Sequence, residues 1–99
     1  MIWYLYIVRT VDRHLYAGVS TDVERRFSEH LRQGRKAARY LCAHRPAHLV
    51  FSQAIGSRPL ALKVEYSFKQ LTRVQKERIV RAGWLCFDGV SGRIEVPVR

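Results

Sequence analysis

The sequence reads as an α+β domain: a small, mostly antiparallel sheet flanked by helices. Three observations predict this. The N-terminal run of residues 2–9 is apolar or aromatic at odd and even positions alike up to Arg9, as in a central strand covered on both sides. The elements follow in the order β-β-α-β-α-α, which suits helices and strands sharing one core. The chain has 99 residues and is 47% hydrophobic, enough for one modest core and too little for two.

The first strand sets Trp3, Leu5 and Ile7 against Tyr4, Tyr6 and Val8. The stretch "TVDRH" follows as a turn, with Asp12 as its turn-favouring residue. "HLYAGVS" returns as the second strand, so residues 2–20 form a hairpin. An odd-numbered turn such as Val11–Arg13 sets Tyr6 opposite Gly18 and Tyr16 opposite Val8. Both tyrosines then share a face as diagonal neighbours, about 7–8 Å apart. A two-residue turn sends them to opposite faces. Gly18 is read as bare backbone beside Tyr6, open to a ligand.

The first helix is the clearest. Thr21 with Glu24 fits a capping box, and Asp22 suits the positive helix end. Val23, Phe27 and Leu31 form its core stripe, and Gly34 stops it. The basic stretch "RKAARYLCAHRP" connects to a third strand, "AHLVFSQAI", and has room for a short turn of helix. Ser57 caps a second long helix with Pro59 in its first turn. Leu60, Val64, Phe68 and Leu71 are its inward stripe. Thr72 and Gln75 open another helix, which Gly83 closes. Two short apolar runs around "DGVSG" end the chain as a terminal hairpin or an added strand. The domain is read as residues 1–82, with 83–99 as a C-terminal extension.

The net charge is +10, from 18 Lys and Arg against 8 Asp and Glu. So strong a field in a small chain points to a polyanion partner, DNA or RNA. No apolar run is long enough for a membrane span and no signal-peptide layout opens the chain, so the expected setting is the cytoplasm. Cys42 and Cys86 lack metal spacing and are read as free thiols.

Several residues could carry chemistry. Paired strand tyrosines are ordinary packing residues as well as potential proton carriers, and spacing alone leaves both readings open. Arg26 and His30 stand four apart on one helix face, a fork for phosphate beside a donor or proton shuttle. Arg25 is the control, with the same charge expected in solvent. Glu65 is the single carboxylate between Glu29 and Glu77, among ten Lys and Arg. It suits a divalent cation completed by water and phosphate, or an ion pair with Lys69 or Arg58. Arg32, Arg35, Lys36, Arg39, His44 and Arg45, with Tyr40 among them, read as a phosphate-tracking loop with one stacking ring. His14, His44 and His48 have no partners at zinc spacing.

Taken together, "YLY" (4–6), "YAG" (16–18), "DVERRFSEH" (22–30) and "ALKVEYSFKQL" (61–71) resemble the GIY-YIG nuclease domain, in particular its small stand-alone bacterial YhbQ-like group. The resemblance covers roughly residues 2–80 and implies a three-stranded antiparallel sheet flanked by helices. It also implies Mg²⁺- or Mn²⁺-dependent hydrolysis of phosphodiester bonds in DNA, branched or double-stranded. Tyr6 matches the tyrosine ending the first signature, and Tyr16 the one opening the second. Arg26 matches the helix arginine, His30 the His or Tyr one turn later, and Glu65 the metal-binding glutamate.

On this reading Tyr6 is the general base, its pKa lowered by cationic surroundings, and Tyr16 orients water or phosphate. Arg26 stabilises charge at phosphorus, His30 hydrogen-bonds the phosphate, and Lys69 joins the DNA contacts. All five catalytic side chains are expected on one concave face. The chain departs from the pattern at Tyr4 and Ala17, and it contains no Asn, which several branches place after the metal helix. The expected function is a structure-selective or low-specificity endonuclease in repair or recombination. The alternative is a non-catalytic nucleic-acid-binding module. A terminal strand pairing with a second subunit would give a weak homodimer.

Overall fold

A computed structural model describes residues 1–32 and 37–96. Strand β1 (Trp3–Thr10) lies in the middle of a three-stranded sheet, between β2 (Leu15–Ser20) and β3 (Pro46–Gly56). Both pairings are antiparallel. The tight turn fixes the first register. Thr10 donates its amide to the His14 carbonyl, and Arg13 takes the left-handed conformation at φ 67°. Three residues then span the hairpin, a recurrent geometry that continues the strand twist. Tyr6 consequently pairs with Gly18 and Val8 with Tyr16, as an odd-numbered turn requires.

Alternation along β1 divides the molecule into two layers. Leu5 and Ile7 enter the main core with Ala17, Phe51, Val64, Phe68 and Ile79. Tyr6 and Val8 enter a smaller core on the opposite face, with Leu41, Tyr16, Val23 and Phe27. Helix α1 (Val23–Arg32) and the short α2 (Arg39–Ala43) cover the tyrosine face. Helices α3 (Arg58–Lys69) and α4 (Arg73–Ala82) cover the other. β1 is apolar on both sides because it is covered on both sides.

The caps follow the sequence with one correction. Ser57 accepts from the Leu60 amide, Thr72 and Gln75 form the full capping box, and Gly83 ends α4 at φ 80°. At α1 the cap is Asp22 rather than Thr21. The Asp22 carboxylate accepts from the Arg25 amide, and Ser20 Oγ accepts from the Asp22 amide. A carboxylate one position later suits the positive helix end better than a hydroxyl. Leu31, expected in the core stripe, is 48% exposed, because the small core ends at Phe27. The C-terminal run forms a hairpin of β4 (Cys86–Phe87) and β5 (Ile94–Glu95). Leu85 and Ile94 from this region complete the main core, so residues beyond 82 share it. Both cysteines are free and exposed.

Candidate active site

Tyr6 projects from the middle of the sheet into the small core, where it is 1% exposed. Its hydroxyl lies 2.9 Å from Nε2 of His30, itself fully buried on α1. His30 Nδ1 accepts a hydrogen bond from the Ala38 amide, so the proton of the neutral ring sits on Nε2 and is donated to the Tyr6 oxygen. Burial, and then Arg26, depress the His30 pKa from 6.5 to about 4, which keeps the ring neutral. Gly18 faces the Tyr6 ring, and a Cβ there would lie 2.5 Å from the tyrosine oxygen. The space beside Gly18 is therefore filled by the phenol and is not open to a ligand.

These facts overturn two sequence expectations. The Tyr6 pKa is raised rather than lowered. Burial is the largest cause and Tyr16 adds to it, while Arg26 works in the opposite direction. His30 reaches no solvent-exposed phosphate, because both ring nitrogens are engaged inside the protein.

Tyr16 is the half-exposed partner. Its ring centroid lies 6.4 Å from that of Tyr6 and 5.7 Å from that of His30. Tyr40 of α2 stacks on it at 5.8 Å, and His44 stacks on Tyr40 at 4.4 Å. Arg26, on the same face of α1, pairs with Glu29 at 3.0 Å and also acts electrostatically on Tyr6 and His30. Arg25 is exposed, as expected of the control position.

Tyr6, Tyr16, Arg26 and His30 thus share one side of the sheet. Helix α3, which carries Glu65, packs on the other side. The two sides meet around β2, the edge strand. A cleft of about 360 Å³ is lined by Tyr16 and Tyr40 from one side, and by Phe68, Lys69 and Lys76 from the other. Lys69 Nζ lies 3.3 Å from Glu65, whose side chain is 17% exposed.

Of the remaining predicted residues, Arg32, Arg39 and Arg45 are exposed, and Tyr40 is 38% exposed. Arg35 and Lys36 lie outside the described residues. Sequence reading missed a group at the hairpin turn: Asp12, His14 and His44 converge although His44 lies more than thirty residues away. It also missed Glu77, which binds Arg9 through two hydrogen bonds of 2.8 and 2.9 Å and Arg73 through one of 3.0 Å. Charge at helical spacing was the available signal for Arg73 and Glu77. Nothing local signals the Arg9 contact.

Comparison with known proteins joins this geometry to a family. A family model for the GIY-YIG catalytic domain matches residues 2–78. The chain belongs to the GIY-YIG family. That places it among nuclease domains. It is 51% identical over 81 residues to UPF0213 protein YhbQ of Escherichia coli (strain K12), covering 82% of this chain and 79% of that one. UPF0213 protein Ent638_3592 of Enterobacter sp. (strain 638) is 48% identical over 95 residues, 96% of this chain and 90% of its own length. The solution structure of UPF0213 protein BH0048 from Bacillus halodurans is similar in fold, with a TM-score of 0.53 and 36% identity. That match covers 83% of this chain and 85% of that one. The departures of this GIY-YIG chain have structural places. Ala17 is buried opposite Ile7, and Tyr4 pairs with Ser20 at the far end of the hairpin. Among the described residues no helix is long and apolar enough to cross a membrane.

Proposed function

We propose that this chain is a divalent-metal-dependent DNA endonuclease, structure-selective or of low sequence specificity, working in DNA repair or recombination in the cytoplasm. The observation that carries this reading is the cleft around β2. Tyr16 and Tyr40 line one side, with the buried Tyr6–His30 pair behind Tyr16, and Lys69, which pairs with Glu65, lines the other. The net charge of +10 supports a polyanionic substrate.

Glu65 fits a hard cation. Its carboxylate already holds a positive group, the Lys69 ammonium, and one carboxylate completed by water and phosphate is a common Mg²⁺ or Mn²⁺ arrangement. When bound, such an ion supplies Lewis acidity to a phosphate oxygen. Arg26 has the planar fork suited to the charge that builds on the phosphate oxygens. Tyr16, the more accessible phenol, orients the attacking water. Tyr6 stands behind it as a buried phenol that accepts the His30 N–H and packs beside the Tyr16 ring. Burial keeps it a phenol at rest, while the His30 N–H and Arg26 favour charge on its oxygen. His30 therefore acts through Tyr6 and not on the phosphate. Arg32, Arg35, Lys36, Arg39, Arg45 and Lys69 track the backbone, with Tyr40 as a stacking ring.

The test is cleavage of branched and linear DNA with Mg²⁺ or Mn²⁺, using the wild-type chain and Glu65→Ala. Metal-dependent nicking that the substitution abolishes, with binding retained, is the expected result. One observation favours a second reading: Lys69 already neutralises Glu65, as in a module that binds nucleic acid without cutting it. Binding by both proteins and cleavage by neither would establish that reading.

A further inference from the structure

The hairpin turn carries a donor set that the proposed nuclease chemistry does not use. We propose that Asp12, His14 and His44 form a second cation site, selective for a transition-metal dication such as Zn²⁺, at the rim of the tyrosine cleft.

The three residues offer one carboxylate oxygen and two imidazole nitrogens, all within 4.8 Å of one another. Asp12 Oδ2 lies 2.6 Å from His44 Nδ1 and 3.5 Å from His14 Nε2. The two imidazole rings are 4.6 Å apart. A tetrahedral ion with bonds of about 2.0–2.2 Å wants its ligand atoms about 3.3–3.6 Å apart. The Asp12–His14 spacing already meets this, and the Asp12–His44 hydrogen bond has to open by under an ångström. The side chains are 31–48% exposed, which leaves the remaining coordination positions to water.

Asp12 is also oriented from behind. Its other oxygen accepts from Thr10 Oγ1 at 2.6 Å, the outer hydrogen bond that metal-binding carboxylates commonly have. Two imidazoles with one carboxylate favour Zn²⁺, Co²⁺ or Ni²⁺ over Mg²⁺, which takes oxygen ligands. This set therefore discriminates against the ion expected at Glu65. The site joins elements that are distant in sequence, the β1–β2 turn and the C-terminal cap of α2. Tyr40, on the same short helix, stacks on Tyr16. An ion here would tie α2 to the hairpin and hold Tyr40 against the tyrosine that lines the cleft.

The test titrates Zn²⁺ alone into the full chain by calorimetry, with histidine ring NMR followed in parallel. Variants are Glu65→Gln, His14→Gln, Thr10→Val and, as a control, His48→Gln, whose exposed side chain lies outside the cluster. The expected result is one Zn²⁺ per chain, unaffected by Glu65→Gln and His48→Gln. His14→Gln should weaken binding at least about tenfold, and Thr10→Val by about tenfold. In the wild-type chain the His14 and His44 signals should move, while those of His30 and His48 stay. Binding that survives His14→Gln unchanged overturns the proposal, as does Zn²⁺ that leaves the His14 and His44 signals in place. Because the readout is binding without DNA, a failed nuclease assay and a failed cation site remain separate results.

Discussion

Tyr6 and His30 are joined by a 2.9 Å hydrogen bond that solvent does not reach, since the tyrosine is 1% exposed and the histidine 0%. The ring accepts at Nδ1 from the Ala38 amide and donates at Nε2, so it must be neutral to keep both bonds. Charging the ring would place a proton against a backbone N–H.

Stability should therefore depend on pH below neutrality. His30 titrates at about 4 when folded, against 6.5 for an ordinary histidine. Between those values the unfolded chain binds more protons, so stability falls as pH drops from 6.5 toward 4 and this contribution levels off below. Proton NMR of the His30 ring checks the premise, and a midpoint near 6.5 would contradict it.

Replacing His30 by Ala removes the Tyr6 partner and the acceptor for Ala38. Leaving buried polar groups unpaired costs about 1–3 kcal/mol, and the vacated volume adds to that. Urea denaturation should show a total loss of about 2–4 kcal/mol. An unchanged midpoint would mean that water replaces the imidazole without loss.

Gly18→Ala should be harmful although the residue lies in regular strand. The added carbon would sit 2.5 Å from the Tyr6 oxygen and 2.6 Å from its ring carbon. Buried Tyr6 cannot swing clear, so overpacking of about 1–3 kcal/mol is expected. Cleavage should fall as well, because the displaced phenol loses His30. Full activity with wild-type stability would refute this account of the glycine.

Glu77 links β1 to α4. Arg9, with help from Arg73, holds its carboxyl at about 2, well below the usual 4.5. A depressed folded value stabilises above the unfolded one and is lost on acidification, so this contribution fades as pH falls from 4.5 to about 2. Glu77→Gln should remove that acid dependence and lower stability at neutral pH. Parallel melting curves at pH 7 and pH 3 provide the comparison.

Arg26→Ala should reduce cleavage by about 100-fold or more, the usual effect of losing one preorganised charge stabiliser. Arg25→Ala, one position round the same helix and exposed, should stay within about twofold, as surface changes away from special features do. Equal losses in both would assign the effect to bulk charge.

Most of the fold was legible because its signals are local. Capping pairs at Ser57 and Thr72, the stop at Gly83 and the two-sided apolarity of residues 2–9 each state their structure within a few residues. The site was legible only in part. The shared face of Tyr6 and Tyr16 follows from strand period and turn length. Which of them is buried depends on α1 and α2 closing over Tyr6, and that packing reversed the expected direction of its pKa. Glu65 was readable as a lone acid, but the packing of its helix on the sheet face opposite Tyr6 was not. Asp12 with His44, and Arg9 with Glu77, are partners that only the finished fold creates.

Gly92 rests so closely on α3 that a side chain there would lie 2.4 Å from Lys63 Cβ and 2.9 Å from its backbone carbon. Ser67 Oγ accepts from the Ile94 amide two residues on. The family match ends at residue 78, yet the helix that bears Glu65 is braced from behind by this later hairpin. Trimming the protein to its matched segment would remove that buttress. The acid's helix thus takes part of its support from Gly92 and Ile94, beyond the matched segment.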